Sequence, residues 1–375
     1  MRILIATNSH DRGSTSRTLE AWARLLPREN VRPTVTVGGG GALLEALRSA
    51  GVPSRVRSLR VLPRKVWPFP FLLASARLAA TARSTKSALI HVNEHDHHPV
   101  AAAAARIARV PLVTHLRFRP GAEYSQWLFR SDRVPDRLFF TSQTQMHDSA
   151  AALGPFVPRE RWRVLPNGLD FSVFGLNVVS RGPLRSQWSL DDETVAIGTA
   201  CAISPRKQVD HFVRLVARLR QRGVRVHGFI AGSAHFPQDQ RVVQQLHRLA
   251  ATLGITPYLT FLGYVEPAEP LYHAWDLCVS TSQYETFGMT VLESMACGCP
   301  VVTYPGGSVA EIVGDAASVV PDGDEDALYE ECLRLAQSPA ARRHLGTLGR
   351  IHASSRYDIR QIVPCLAQEY RDLLA

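Results

Sequence analysis

No run of 18 consecutive apolar residues occurs in this 375-residue chain, so nothing in it reads as a membrane-spanning helix. Cysteine is scarce: Cys201, Cys278, Cys297, Cys299, Cys332 and Cys365 lie mostly in apolar runs, with no pair at zinc-ligand spacing. Reduced, buried thiols of a cytosolic protein are therefore expected, rather than disulfides or a metal centre. Met1 to Thr7 reads as a first strand, too short for a signal sequence, and the chain is expected to be neither exported nor membrane-spanning. Short-period repeats and long low-complexity tracts are absent. So are a G-x-G-x-x-G loop and an H-E-x-x-H motif. The four glycines Gly38 to Gly41 are followed by Leu43 where a dinucleotide loop needs its third glycine, and their simpler role is a tight turn between strand and helix.

Length and composition favour an enzyme-sized protein of two domains. A chain this long exceeds what one core usually organises, and 45% hydrophobic content supports full cores. Net charge is +10, unevenly spread. Residues 1–180 hold 25 Lys and Arg against 12 Asp and Glu (+13), whereas residues 181–375 hold 18 against 21 (−3). Such asymmetry suits nucleic acid, an anionic membrane or an acidic substrate. It concentrates at Arg55, Arg57, Arg60, Arg64 and Lys65, just before Trp67, Phe69, Phe71 and Leu72. Basic residues beside aromatics suit peripheral contact with an anionic bilayer face. Pro63, Pro68 and Pro70 are expected to interrupt any helix there. No recognised nucleic-acid motif accompanies the charge, so no nucleic-acid partner is expected.

The first half alternates short apolar runs with helical patterns, as a doubly wound parallel sheet requires. Strands are predicted at 3–6, 34–37, 89–92, 112–114 and 138–141. Helices are predicted at about 18–26, 42–50 and 100–108, with a polar loop from Thr7 to Ser16 after the first strand. Asn167 to Asp170 and an irregular stretch to about Asp192 read as an interdomain linker, followed by a strand at 195–201. The predicted domains are 1–180 and 181–355, with a terminal helix at 356–375.

Ser282 to Gly307, SQYETFGMTVLESMACGCPVVTYPGG, sets two carboxylates eight residues apart around a strand, loop, helix and strand. Asp276 to Ser280 suits a buried parallel strand, Gly288 to Cys297 has helical spacing, and Gly298 and Pro300 end that helix. A helix N-terminus beyond the carboxyl ends of parallel strands offers free N–H groups to phosphate, so the amides of Thr286, Phe287, Gly288, Met289 and Thr290 suit a diphosphate. Glu285 and Glu293 would repel it and suit sugar hydroxyls instead. Equally open on these residues alone, Glu293 is a solvated helix residue and Glu285 a helix-start charge favoured by the dipole.

Glu285-Thr286-Phe287-Gly288 with Glu293, Gly306-Gly307 and Glu311-Ile312-Val313 resembles glycosyltransferase family 4 of the GT-B superfamily. The specific match runs from about Tyr272 to Val313. It continues in Pro166-Asn167-Gly168-Leu169-Asp170 and in Ser204-Pro205-Arg206-Lys207, and more loosely over most of the chain. The resemblance implies a GT-B fold: two Rossmann-like doubly wound α/β domains facing an interdomain cleft, the second holding nucleotide and the first acceptor, with the terminal helix crossing back onto the first. It implies retaining transfer of a hexose-type sugar from a nucleoside diphosphate donor, a UDP-sugar favoured over a GDP-sugar, to a hydroxyl acceptor. No metal or other cofactor is implied. A phosphorylase or sugar-phosphate synthase on the same scaffold, and a non-catalytic binding protein, are the alternatives.

By the same resemblance Glu285 holds sugar hydroxyls, Glu293 holds ribose, and Lys207 with Arg206 meets the diphosphate. Gly232, Ser233, Tyr264 and Val265 are further donor contacts. The family commonly carries an arginine five residues before the lysine, where this chain has Ala202; either Arg206 substitutes, or phosphate stabilisation is weaker, the donor is changed or activity is lost. His115, ending the strand Pro111 to Thr114, is placed near the reacting sugar, bonding a hydroxyl or the leaving-group oxygen. Gly13 and the loop Glu94, His95, Asp96 and His97 are read as acceptor-binding. For that loop a zinc site and a helix cap compete with acceptor binding. The expected location is cytoplasmic, peripheral to the inner face of the membrane.

Overall fold

The computed structural model describes residues 1–11, 13–59, 68–130, 133–175, 181–234 and 236–375. The chain forms two compact units, Met1–Gly168 with Ile359–Ala375, and Leu169–Asp358. The change of unit comes at Gly168, earlier than the expected 180. The terminal return begins at Ile359, where a break at Asp358 separates the helices Pro339–Tyr357 and Ile359–Leu374.

In the first unit seven parallel strands form one sheet: β1 (Arg2–Ala6), β2 (Arg32–Val37), β3 (Ser54–Val56), β4 (Ile90–Val92), β5 (Leu112–His115), β6 (Arg137–Phe140) and β7 (Trp162–Val164). Their order is β3-β2-β1-β4-β5-β6-β7, so the winding reverses between β1 and β4. Ligand crevices of open parallel sheets form at such a reversal. The strands read as continuous apolar runs because both faces are covered. Trp22, Leu43 and Leu47 pack on one face together with Ile362, Leu366 and Tyr370 of the terminal helix. Leu78, Val100 and Ala104 pack on the other.

The basic-aromatic segment is corrected in part. A 17-residue helix, Pro68–Ser84, starts at the prolines that were expected to prevent it. Pro68 and Pro70 sit in its first turn, where N–H groups have no intrahelical acceptor and a missing one costs nothing. Arg60, Arg64, Lys65, Trp67 and Pro63 lie outside the described residues.

The second unit has six parallel strands: β8 (Val195–Ala200), β9 (Val226–Ala231), β10 (Leu259–Gly263), β11 (Leu277–Ser280), β12 (Val301–Thr303) and β13 (Ser318–Val319). Their order is β10-β9-β8-β11-β12-β13, with the reversal between β8 and β11. The expected irregular linker contains a helix, Gly182–Gln187, that belongs to this unit. Arg185 anchors it: the buried guanidinium donates to Asp276 Oδ2 at 3.0 Å and to the Asp191 and Thr194 carbonyls.

Candidate functional site

In the second unit the carboxyl ends of β8 and β11 are stitched together. Thr281 Oγ1 donates to the carbonyls of Lys207 and Gln208, both at 2.9 Å. Gln283 N donates to Arg206 O at 2.9 Å, and Arg206 Nη1 returns a bond to Tyr284 O at 3.1 Å. This clamp brings Lys207 Nζ onto Glu285 Oε1, which also accepts from Ser282 Oγ at 2.9 Å. Lys207 is only 7% exposed. The pair, 78 residues apart in sequence, places one cation and one carboxylate at the strand ends. Arg206 is thus tied to the Glu285 loop, while Ala202 is exposed at the end of β8.

The loop's path depends on two glycines after β12. Glu285 N donates to Gly306 O and Ser308 N to Glu285 O. At Gly307, with φ of +63°, a Cβ would lie 2.3 Å from Glu285 O. Only glycine fits so close an approach in the left-handed region.

Gly288, with φ of +91°, then turns the chain into the helix Met289–Ala296. The first-turn amides of this helix have no intrahelical acceptor, and its dipole favours an anion there. Glu285 lies outside the helix, which has no acidic residue in its first turn, so the dipole reading of that residue is corrected. Glu293 is 1% exposed and accepts a hydrogen bond from Tyr272 Oη at 2.9 Å, which removes the solvated-residue reading. Tyr272 was not foreseen as its partner. Phe287 is buried edge-on against Tyr357.

Other predicted donor residues stand at neighbouring strand ends. Gly232 N donates to Gly263 O at 2.7 Å, and Ile203 N to Ser233 O at 2.9 Å, linking the ends of β8, β9 and β10. Val265 packs partly on the core, whereas Tyr264 is exposed and its hydroxyl donates to Glu266. Cys201 nearby is a half-buried thiol whose desolvation pushes it up to about 11, so it is not a ready nucleophile.

In the first unit Glu94 gathers the loop after β1. Its carboxylate accepts from Thr7 Oγ1 at 2.7 Å, Ser9 Oγ at 2.9 Å and Asn8 N at 3.2 Å. Gly13 is the exposed N-cap of the helix Ser14–Leu25, which starts within the expected loop. The loop's histidine rings diverge: His95 Nδ1 accepts from Arg117 N at 3.1 Å, and His98 Nδ1 meets Thr114 Oγ1 at 2.7 Å. Asp96 accepts from Tyr124 Oη. Burial holds His97 below its ordinary pKa against the pull of Glu94 and Asp96. Among the described residues, no group of three His, Cys, Asp or Glu could hold a metal ion.

His115 ends β5 fully buried in a column of rings. It stacks on Trp22 at 5.4 Å and on His91 at 5.9 Å, and neither ring nitrogen has a hydrogen-bond partner among the described residues. Burial first, then the Arg117 cation and the neighbouring His91 and His95, holds it well below the usual histidine range. His91 Nδ1 meets Tyr370 Oη of the terminal helix at 2.6 Å. Arg117, two residues beyond His115, was missed. Nothing in the run His-Leu-Arg distinguishes it from a surface arginine.

Two family models match the chain: Glycosyltransferase Family 4 over residues 15–173, and Glycosyl transferases group 1 over residues 194–338. The chain belongs to glycosyltransferase family 4 of the GT-B superfamily. Among solved structures, this family 4 chain is similar to HepE of Anabaena in complex with UDP and glucose, with 25% identity, 99% of each chain covered and a TM-score of 0.84. A D-inositol 3-phosphate glycosyltransferase of Stackebrandtia nassauensis is 33% identical over 56% of this chain and 48% of its own length. A GDP-mannose-dependent alpha-(1-6)-phosphatidylinositol monomannoside mannosyltransferase of Mycolicibacterium smegmatis is 29% identical over 57% and 56%. The chain spans about half the length of these curated relatives.

Proposed function

We propose that the protein is a retaining, metal-independent glycosyltransferase that moves a hexose-type sugar from a UDP-sugar to a hydroxyl of an acceptor. The observation that carries this reading is the corner at the carboxyl ends of β8 and β11. There a nearly buried lysine meets a carboxylate on the loop that leads into a helix N-terminus. Diphosphate is the leaving group of such a transfer, and its departure concentrates negative charge. Lys207 and the first-turn amides of Met289–Ala296 offset that charge. Glu285 accepts from sugar hydroxyls, and Glu293 from the ribose. UDP is favoured over GDP because HepE binds UDP; the GDP-mannose-dependent relative makes GDP the alternative.

The acceptor is assigned to the first unit's loops around Gly13 and Glu94 to His97. His115, uncharged, acts as a hydrogen-bonding group toward the sugar or leaving-group oxygen, and departing phosphate takes the acceptor proton. Thermal-shift measurements with UDP, GDP and ADP, followed by turnover with matching sugars and anomeric analysis of the product, test the reading. Stabilisation by UDP with an α-product from an α-donor supports it; no nucleotide response and no turnover would reject it.

A cytoplasmic location with peripheral membrane contact is part of the same proposal. On the helix Pro68–Ser84, Phe69, Leu72 and Leu73 are each at least half exposed. No acidic residue occurs between Glu45 and Glu94, where nine Lys and Arg are found. Basic charge beside exposed apolar side chains suits an anionic bilayer. Co-sedimentation with anionic but not neutral vesicles, lost in Phe69→Ser/Leu72→Ser, is the expected result; equal binding by the double variant would refute it. Among the described residues no helix is long and apolar enough to cross a membrane.

A further inference from the structure

The sheet of the second unit carries a cleft at the edge opposite the donor corner. Asp192, Asp276 and Pro300 stand just before the amino ends of β8, β11 and β12, and with Arg181, Arg342 and Arg343 they line a cavity of about 460 Å³. That volume suits a small ligand. One sign of charge prevails on its wall. The buried Asp276 is already shared: Oδ1 accepts from Arg181 at 2.7 Å, and Oδ2 from Arg185 at 3.0 Å and from Ala196 N at 2.8 Å. Arg342 Nη2 stops 3.9 Å from Asp276 Oδ1, beyond hydrogen-bond reach, while its Nη1 is spent on the carbonyls of Leu335 and Ala336. Arg343 is exposed and forms no ion pair among the described residues. With Arg185 counted, four guanidiniums gather around the two carboxylates Asp276 and Asp192.

The backbone that brings these cations together adds to the imbalance. Arg342 and Arg343 lie in the first turn of the helix Pro339–Tyr357, which has no acidic residue there. The positive end of a helix dipole favours an anion and disfavours cations. Burial holds Arg342 below the ordinary arginine range; Asp276 opposes that shift, and Arg181, Arg343 and Arg185 deepen it. Two further wall residues carry unsatisfied polar atoms. Trp275, 2% exposed, has its indole Nε1–H, and His273 its Nε2, buried without a hydrogen-bond partner among the described residues. A buried N–H left without an acceptor is a cost that a ligand oxygen removes.

From this arrangement we infer a second ligand site, separate from the donor corner, in which a small phosphate-bearing anion is held by Arg181, Arg342 and Arg343 with the Trp275 indole as a further donor. Guanidinium forks match phosphate oxygens in pairs, and the anion supplies the negative charge that the helix N-terminus lacks. The ligand is either free inorganic phosphate or a phosphate ester. Because the donor corner stands at the carboxyl ends of β8 and β11 and this cleft at their amino ends, nucleotide and anion bind together. The site stands on residues of the second unit alone; the glycosyltransferase reading enters only through UDP as the occupant of the donor corner.

Calorimetry on protein saturated with UDP, at an ionic strength held constant with chloride, tests it, with inorganic phosphate as one arm and glycerol 3-phosphate against glycerol as the other. Saturable binding of phosphate in at least one arm is expected with UDP present. Arg343→Gln should weaken it by roughly tenfold, and Arg181→Gln/Arg343→Gln should abolish it, while UDP affinity stays as in the native protein. Arg343 is exposed and outside any ion pair among the described residues, so its replacement probes the site without loss of the fold. No phosphate binding in either arm, arginine variants that bind as the native protein does, or displacement of phosphate by UDP would overturn the inference. Should UDP itself fail to bind, the same titration on Lys207→Met separates the two claims. Phosphate binding that survives Lys207→Met and is lost with Arg181 and Arg343 keeps this site and rejects the proposed function; UDP binding and sugar transfer without phosphate binding do the reverse.

Discussion

Replacing Glu285 by glutamine keeps the side chain's shape but removes the charge that balances Lys207. In the native corner Glu285 Oε1 takes both the lysine ammonium and the Ser282 hydroxyl, and Lys207 is 7% exposed. With one amide oxygen left for two donors, a nearly buried ammonium loses its counter-charge, at a cost of about 1–3 kcal/mol in stability. Lys207→Met strands the carboxylate and should cost a similar amount. The double variant removes both charges, so its loss should fall short of the sum by on the order of 1–3 kcal/mol. Turnover follows a different rule. If Glu285 holds sugar hydroxyls as the bond to diphosphate breaks, Glu285→Gln should lower kcat by roughly a hundred- to a thousandfold, the scale of one lost transition-state contact. UDP affinity should stay within about threefold, because the carboxylate makes no favourable contact with phosphate. Denaturant unfolding of the four proteins gives the coupling, and calorimetry with UDP beside steady-state kinetics with UDP-glucose separates binding from chemistry. An unchanged kcat, or strictly additive stabilities, would refute the reasoning.

Glu293→Gln should weaken UDP, GDP and ADP alike by roughly tenfold in calorimetry, since ribose is common to all three, whereas Tyr272→Phe should cost about 1 kcal/mol of stability through the lost hydroxyl bond. Gly307→Ala forces a Cβ against Glu285 O at a positive φ; it should cost about 1–3 kcal/mol and most of the turnover, read by denaturant melts and kinetics. Acidification should destabilise the first unit. Burial holds His91 at about 3, His95 at about 4 and His98 at about 3, so the unfolded chain, with histidines near 6.5, binds more protons below that value. Their stabilisation is complete above pH 6.5 and is lost as pH falls towards 3, at up to about 1.4 kcal/mol per pH unit for each histidine. Denaturant titrations at pH 7.5, 6.5 and 5.5 measure this, and a flat profile would contradict it.

Much of the fold was legible where the physics is local. Ile3 to Ala6 and Leu277 to Val279 are apolar on every residue because parallel strands are covered on both faces. The helix after Gly288 announced itself by spacing and by Gly298 and Pro300 at its end. Signals that depend on context misled. Pro68 and Pro70 looked like breakers because proline's effect reverses between the first turn and the interior of a helix. The three histidines after β4 invited a zinc reading beside the favoured acceptor-binding one; successive residues entering a helix point in different directions, and the rings of His95 and His98 meet the Arg117 amide and Thr114. The partners of the site residues were hidden by distance along the chain. Lys207 and Glu285 are 78 positions apart, Tyr272 and Glu293 are 21, and Arg117 meets Asn167 across 50. No local period encodes such pairs; the order of strands in the sheet brings them together.

A crystal structure of the protein with UDP tests the central claim most directly. The account predicts the diphosphate at the first-turn amides of Met289–Ala296 within reach of Lys207 Nζ, and the ribose hydroxyls on Glu293. A nucleotide bound elsewhere, with Lys207 and that helix N-terminus facing only solvent, would contradict it.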